Sequence, residues 1–438
     1  MLKDNLKNIP VAFISIPIVL SIIGLIFIFS TGINPDGSNN NQYIKQFIWI
    51  IMGISIALLI INIDYYRLIE TSTYYYIAGV ILLLVTVIFG KNIRGNKSWL
   101  GIAGMGIQAS EFMKIFYILF FARYLSNAPV LEKKGRVFLN SLGILAIPLI
   151  LIILQSDFGT AIVYLGIFIT MAFMGMPDDT YVKYLLYTAG ICIFMLFGIG
   201  FYKFYLENGG SKIELLEVIL SFNTFIIVST AMFLYSVIAI VIDFFYPVQA
   251  LKKILPITLI IGISFLFSAV AIKQLKPHHW KRIQVMINPE FDKKKAGYNV
   301  IQSKIAIGSG GFFGKGLFRG TQNILGFLPE KSTDFIYSII GEELGFFGGS
   351  IVMALFIIYF YYIIKTIKNA KDKEGMLIST GIMAMFFVHF FINIGMSLGI
   401  TPVTGLPLPF ISYGGSSYIT FIGASALLLN IYSRRFVH

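Results

Sequence analysis

The chain has 438 residues, of which 57% are hydrophobic and only 13% are charged. Because soluble domains carry about 25% charged residues, this composition excludes an ordinary soluble protein and predicts one polytopic membrane domain over residues 1–438. The net charge of +13 is expected to arise from basic cytoplasmic loops that lie beside anionic membrane lipid, so no nucleic acid partner is predicted. The single cysteine excludes an intrachain disulfide, and the histidines and cysteine have no metal-site spacing.

Apolar runs of about 20 residues are long enough to cross the hydrocarbon core of a bilayer, and about twelve such runs predict an all-α membrane helix bundle. The first is expected to be retained as a helix, since no small-residue cleavage site follows it. The runs cover residues 10–31, 44–63, 69–90, 110–127, 138–156, 158–176, 182–203, 223–247, 254–274, 346–366, 378–399 and 411–432.

Lys and Arg residues are concentrated in alternate short loops, which predicts that both termini are cytoplasmic. The long interval 275–345 then lies on the outer face of the membrane. Within it, the segment 308–316 reads GSGGFFGKG. Its glycines could approach a ligand or allow turns with positive φ, but the spacing does not match the Walker phosphate-binding loop.

Two carboxylates, Glu330 and Asp334, stand four residues apart in the segment FLPEKSTDFIY. Asp334 precedes an apolar run, so it could cap the next helix. The alternative is a general base for a sugar hydroxyl, a role that suits a partly desolvated carboxylate.

Charged side chains at membrane depth are costly and tend to be paired or functional. Glu111 and Lys114 share one helix face because they are three residues apart. They could form a structural ion pair, or they could face a polar cavity in which the lysine meets phosphate. Asp157 precedes Phe-Gly-Thr and could cap a helix or take part in a site.

The remaining candidates flank the predicted spans. Lys97 and Trp99 lie in RGNKSWLGIAG, where the tryptophan is most simply an anchor at the membrane interface. Arg282 opens the long outer interval and could hold phosphate through two parallel hydrogen bonds.

Three long motifs resemble the SEDS family of bacterial cell-wall glycosyltransferases: GYNVIQSKIAIGSGG, FLPEKSTDFIYSIIGEELG and TPVTGLPLPFISYGGSS. The step Gly320-Thr321-Gln322 resembles the RodA-like elongation branch more than the FtsW-like division branch. The resemblance extends from the first predicted span to the last.

The resemblance implies a multi-pass protein of the bacterial cytoplasmic membrane. Such a protein polymerises lipid II, an undecaprenyl-pyrophosphate-linked disaccharide peptide, at the outer face beside a class B penicillin-binding protein (a transpeptidase). Asp334 matches the family's catalytic aspartate. The cofactor is left open, with the divalent cations Mg and Mn as candidates. Substrate-binding positions are expected at Lys97, Trp99, Glu111, Lys114, Asp157, Arg282, Gln302, Lys304, Lys315 and Glu330.

Two of the sequence's departures from the family pattern bear on mechanism and topology. Ser332 stands where the family has a histidine, so that histidine cannot be essential to this chemistry. The family has ten spans, so the segment 182–253 is predicted to be inserted.

The expected reaction is a single displacement with inversion, in which Asp334 acts as base and Lys97, Lys114 and Arg282 hold the departing pyrophosphate. Three alternatives stay open. The chain could move lipid II across the membrane as a flippase along Glu111, Lys114 and Asp157. It could be a non-catalytic scaffold for the transpeptidase, or a division-type FtsW paralogue.

Overall fold

The computed structural model describes residues 9–33, 38–93, 96–102, 105–128, 134–176, 178–207, 209–246, 249–274, 285, 288 and 296–435. Most of these residues are helical, as predicted. The helices are α1 (Val11–Gly32), α2 (Gln42–Asn62), α3 (Tyr65–Glu70), α4 (Ser72–Phe89), α5 (Ala109–Asn127), α6 (Lys134–Leu154), α7 (Phe158–Gly175), α8 (Thr180–Glu207), α9 (Glu214–Ile219), α10 (Phe222–Phe245), α11 (Gln249–Gln274), α12 (Ala296–Gly310), α13 (Thr321–Ile324), α14 (Ile336–Lys368), α15 (Lys373–Leu398) and α16 (Gly415–Arg434).

A long helix occupies each interval predicted to span the membrane. Among the described residues, 10 helices are long and apolar enough to cross a membrane. The other two predicted spans fold as α5 and α16, which carry more polar residues. Nearly every residue of α16 is buried, and it packs against α1, α2, α5 and α15. A central helix can be less hydrophobic than its neighbours because protein rather than lipid surrounds it.

The chain divides into two compact units, Met1–Pro177 with Asn299–His438, and Asp178–Tyr298. In the second unit, α8, α10 and α11 pack around the buried residues Ile199, Phe225 and Ala269. The Ser229 hydroxyl of α10 donates a hydrogen bond to the Gly262 carbonyl of α11 at 3.0 Å. The segment 182–253, predicted as an insertion, lies within this unit.

A small antiparallel sheet, which the sequence analysis did not predict, precedes α5. Its strands are β1 (Lys91–Ile93), β2 (Asn96–Ile102) and β3 (Met105–Ile107), in the order β1-β2-β3. Lys91 pairs with Trp99, and Gly101 pairs with Gly106. The strands are too short and too rich in glycine and polar residues to give a clear alternating pattern.

Within the predicted outer interval, the described residues 296–345 contain α12, α13 and the start of α14. The span predicted to begin at residue 346 belongs to a helix that begins at Ile336 and breaks at Gly345, where φ is 68°. The glycine-rich segment 308–316 packs into this break. The Gly314 and Gly345 backbones are so close that a Cβ on Gly345 would lie 2.3 Å from the Gly314 nitrogen. Among the described contacts, these glycines therefore serve close backbone packing.

Candidate functional site

Asp334 lies at the end of a tight turn that leads into α14. The carbonyl of Glu330 accepts hydrogen bonds from the amides of Asp334 (3.1 Å) and Phe335 (3.2 Å). Glu330 itself has a positive φ of 30°. The N-cap residue of α14 is Phe335, whose side chain makes no capping bond. Asp334 is therefore not the N-cap residue of α14, and its side chain is half-buried.

The turn is held by the irregular segment between α15 and α16, residues 399–414, which we call the 399–414 loop. The Ser412 hydroxyl donates to the Thr333 carbonyl at 2.6 Å. The Tyr413 amide donates to the Ser332 carbonyl at 2.9 Å. These two bonds fix the backbone of the turn immediately before Asp334.

The 399–414 loop also approaches the Asp334 carboxylate directly. A Cβ on Gly405 would lie 3.5 Å from Oδ2 of Asp334. Gly405 has φ of 80°, a backbone conformation that residues other than glycine adopt only at a cost in free energy. The carboxylate therefore lies against bare backbone, where a substrate hydroxyl could also approach closely.

Glu111 and Lys114 form the buried ion pair that the spacing allowed, with Nζ 2.8 Å from Oε1. Lys114 is also 3.0 Å from Nε2 of His389 on α15. The lysine side chain has 0% exposure, so in this structure it contacts protein groups rather than an open cavity. The geometry favours the ion-pair interpretation of Lys114 over direct contact with phosphate.

Asp157 caps α7. Its carboxylate accepts from the Thr160 amide at 3.1 Å and from the Gln108 side chain at 2.7 Å. The first turn of α7 packs against the 399–414 loop, since a Cβ on Gly159 would lie 2.7 Å from the Thr404 carbonyl oxygen. Asp157 therefore has the capping role considered for it, and it anchors a helix end that packs against the same loop as Asp334.

Lys97 and Trp99 lie on β2. The Lys97 amide donates to the Gln155 carbonyl at 3.0 Å, which places the strand beside the start of α7. The Lys97 ammonium reaches the Ile88 carbonyl at 3.1 Å, and the side chain is exposed. Trp99 is half-buried and packs over Gly106 of β3.

The remaining candidates are Gln302, Lys304, Lys315 and Arg282. Gln302 is half-buried and Lys304 exposed on α12, and Lys304 approaches Gly399 at the start of the 399–414 loop. Lys315 pairs with Glu342 instead, with Nζ 2.6 Å from Oε1. Arg282 lies outside the described residues. The structure thus brings Lys304 to the loop near Asp334 and gives Lys315 a partner elsewhere in the fold.

A second acidic pair, Glu342 and Glu343, is fully buried in the first turns of α14. Glu342 accepts from Lys315 and from the amides of Gln322 and Asn323. The Glu343 carboxylate accepts from three donors, which are the hydroxyl of Ser30, the side-chain amide of Asn323 and the backbone amide of Phe318. These bonds offset the burial of the two carboxylates and tie α13 and the glycine-rich segment to α14.

Lys331 lies inside the motif that carries Asp334. Its ammonium donates to the Asn323 carbonyl at 2.6 Å, and burial lowers the pKa of this lysine. The bond connects the turn to α13, so a third contact fixes the Asp334 backbone.

Within the described ranges, His, Cys, Asp and Glu side chains form no group of three that could hold a metal ion. Among the residues that the structure describes, no ligands are therefore assigned to the Mg or Mn left open above.

Sequence reasoning missed His389 and Asn393. Both lie on α15 within a long apolar run, four residues apart, so they share one helix face. That spacing of two polar residues in a predicted span was the available signal. The Asn393 side chain donates to the carbonyls of Asp334 (3.0 Å) and Leu406 (2.8 Å).

The sequence profile of the FtsW/RodA/SpoVE family, described as cell cycle proteins, matches residues 11–208 and 213–436. The chain therefore belongs to this family. The match includes most of the segment 182–253, whose origin as an insertion remains a prediction.

Two relatives match nearly end to end. The chain is 38% identical over 426 residues to the peptidoglycan glycosyltransferase RodA of Treponema pallidum (strain Nichols), which covers 95% of this chain and 96% of that protein. It is 30% identical over 428 residues to the stage V sporulation protein E of Bacillus subtilis (strain 168), with 96% of each covered. The higher identity is to the RodA protein, in agreement with the RodA-like motif at residues 320–322.

A solved chain from a peptidoglycan synthase complex that coordinates polymerization and crosslinking has the same fold, with a TM-score of 0.68 at 19% identity. The likeness covers 97% of this chain and 98% of that chain. Together with the helices long enough to cross a bilayer, it identifies a multi-span membrane protein of the SEDS fold.

Proposed function

We propose that this protein is a RodA-type peptidoglycan glycosyltransferase of the bacterial cytoplasmic membrane, which polymerises lipid II during cell elongation. One observation carries the proposal. The half-buried carboxylate of Asp334 lies on a turn fixed from several sides, against the bare backbone of Gly405. A base held in this way can be positioned for a sugar hydroxyl by the fixed backbone around it.

The mechanism follows from this carboxylate. Asp334 removes the proton from the acceptor sugar hydroxyl as that oxygen attacks the anomeric carbon of the donor. The bond from the anomeric carbon to the pyrophosphate oxygen breaks, and undecaprenyl pyrophosphate leaves with the bonding electrons. A single displacement inverts the anomeric configuration, so one base suffices and no second nucleophilic carboxylate is needed.

Cationic groups are required to stabilise the departing pyrophosphate. Lys97 and Lys304 are the exposed candidates, and Arg282 is a third by motif. Lys114 is assigned a different part, because its ammonium is fully buried between Glu111 and His389. Lys114 stabilises the protein structure around the site and does not bind phosphate directly.

A class B penicillin-binding protein is the proposed partner, since a transpeptidase must cross-link the strands that the polymerase makes. The synthase complex with the same fold supports this pairing. A purely scaffolding role for the chain would instead predict that Asp334 is dispensable.

The experiment that tests the proposal measures two activities in one preparation. Purified protein in liposomes receives fluorescent lipid II, and both glycan polymer and transbilayer movement of the lipid are recorded. We expect polymer, with a yield that rises when the transpeptidase is added. Lipid movement without polymer would replace the proposal with the flippase alternative.

A further inference from the structure

We propose that His389 is a positioning residue that uses the buried Glu111–Lys114 pair to hold the 399–414 loop, and through it the Asp334 carboxylate, in the reactive arrangement. The inference rests on the proposed function, because its readout is glycan synthesis. It assigns a role to a buried histidine that touches no substrate.

The contacts form one continuous chain. Glu111 lies 2.8 Å from the Lys114 ammonium, and that ammonium lies 3.0 Å from Nε2 of His389. On the other side of the ring, Nδ1 lies 3.1 Å from the carbonyl of Pro407 in the 399–414 loop. A run of three buried side chains therefore connects α5 to the loop that faces Asp334.

The lysine determines which nitrogen of the ring carries the proton. An ammonium group only donates hydrogen bonds, so Nε2 must accept from Lys114. The proton of the neutral ring is then on Nδ1, where it donates to the Pro407 carbonyl. The Lys114 ammonium thus keeps His389 in the one tautomer that can bind the loop.

The loop needs side-chain donors in addition to its own backbone amides. It is irregular and contains three prolines, Pro402, Pro407 and Pro409, which have no amide proton. Buried carbonyls in an irregular segment must find side-chain donors. His389 serves the Pro407 carbonyl, while Asn393, one turn further along α15, serves those of Leu406 and Asp334.

Aromatic packing keeps the ring in place. Phe421 of α16 contacts His389 edge-on, with ring centroids 4.9 Å apart. The Lys114 ammonium lies 5.9 Å from the centroid of the Phe421 ring. His389 has 0% exposure. A change at this position is therefore transmitted through the loop rather than through contact with lipid II.

Three substitutions separate the two contacts of the ring. In His389→Asn the amide nitrogen occupies roughly the place of Nδ1 and can still donate to Pro407, with no tautomer to be fixed. In His389→Gln the amide lies near the place of Nε2 and keeps only the contact with Lys114. His389→Leu keeps neither, and Phe391→Leu, on the same helix but 52% exposed, serves as the control.

The test measures lipid II polymerisation as kcat and KM separately, together with the melting temperature of each purified variant. We expect His389→Leu and His389→Gln to lose about tenfold or more in kcat, the size expected when a reacting group is slightly displaced, with KM within about twofold of the wild type. His389→Asn is expected to retain most of kcat, and Phe391→Leu to match the wild type.

Four results would overturn the inference. The first is wild-type polymerisation by all of the His389 variants. The second is a raised KM, and the third is a loss of kcat that only parallels the loss of melting temperature. The fourth is equal activities of His389→Gln and His389→Asn, and this comparison decides the matter even where His389→Leu fails to fold. A wild type that makes no polymer would instead remove the proposed function itself, and the inference with it.

Discussion

At the scale of single residues, the protein buries more charge than its apolar composition suggests. Lys114 and Glu342 have no exposed side-chain surface. Each is neutralised by a partner and by further hydrogen bonds, which is the condition under which a buried charge is tolerated. These pairs fix irregular backbone beside Asp334 and beside the break in α14, where helical bonds cannot do so.

Glu342→Gln is predicted to lower the thermal stability of the protein. The substitution removes the negative charge that faces Lys315 and two backbone amides, and the loss of charge-assisted bonds of this kind costs about 3 kcal/mol. The measurement is the melting temperature of the detergent-purified protein. Glu217→Gln is the control, because Glu217 is exposed and lies 4.0 Å from Lys212. Equal melting temperatures for the two variants would contradict the assignment.

At the scale of elements, hydropathy predicted the long helices because lipid requires long apolar runs with satisfied backbone groups. It could not predict where α14 breaks. In the sequence, Gly345 is not distinguishable from the other small residues near the start of this span. Its positive φ arises from packing against a segment some thirty residues earlier. The short sheet β1–β3 was missed for a related reason, since its strands lack an alternating apolar pattern.

Gly345→Ala is predicted to destabilise the protein far more than Gly326→Ala. Both glycines have φ of 68°, but an added Cβ meets backbone atoms only at Gly345, whereas nothing lies within 4 Å of it at Gly326. A positive φ is strained for either alanine. At Gly345, ψ of −164° gives a conformation that is essentially restricted to glycine and costs about 1–3 kcal/mol, and the clash with backbone adds to this cost. Melting temperatures of the two variants measure the difference, and similar values would show that the close backbone packing is not formed.

The candidate site was predictable from sequence only in part. Motif resemblance identified Asp334, and helical spacing identified the pair of Glu111 and Lys114. His389 escaped because its partners lie on α5 and in the 399–414 loop, far from it along the chain. Lys315 looked like a ligand for phosphate because its partner, Glu342, lies 27 residues away. Pairings between distant elements are set by tertiary packing, which local patterns do not encode.

At the scale of the whole molecule, the account requires that the Asp334 turn and the glycine-rich segment face the outside of the cell. The Lys and Arg distribution predicts this orientation. It also predicts that the connection between α14 and α15 lies in the cytoplasm, beside both termini.

Cysteine labelling tests the orientation. Cys192 is the single cysteine, and its sulfur lies 3.3 Å from the Ser268 hydroxyl, so Cys192→Ser gives a conservative background without cysteine. In intact cells, a membrane-impermeant maleimide is expected to label Phe313→Cys, where the native side chain is 81% exposed, and not Lys371→Cys, which reacts only after lysis. The reverse pattern would place the site on the cytoplasmic side.

The most direct test of the central claim is lipid II polymerisation by Asp334→Asn. This variant keeps the size of the side chain and the backbone bonds of the turn but cannot accept a proton from the sugar hydroxyl. We expect the purified variant, with its transpeptidase partner present, to bind fluorescent lipid II and to melt like the wild type while making no glycan polymer. Polymer formed at the wild-type rate would show that Asp334 is not the base.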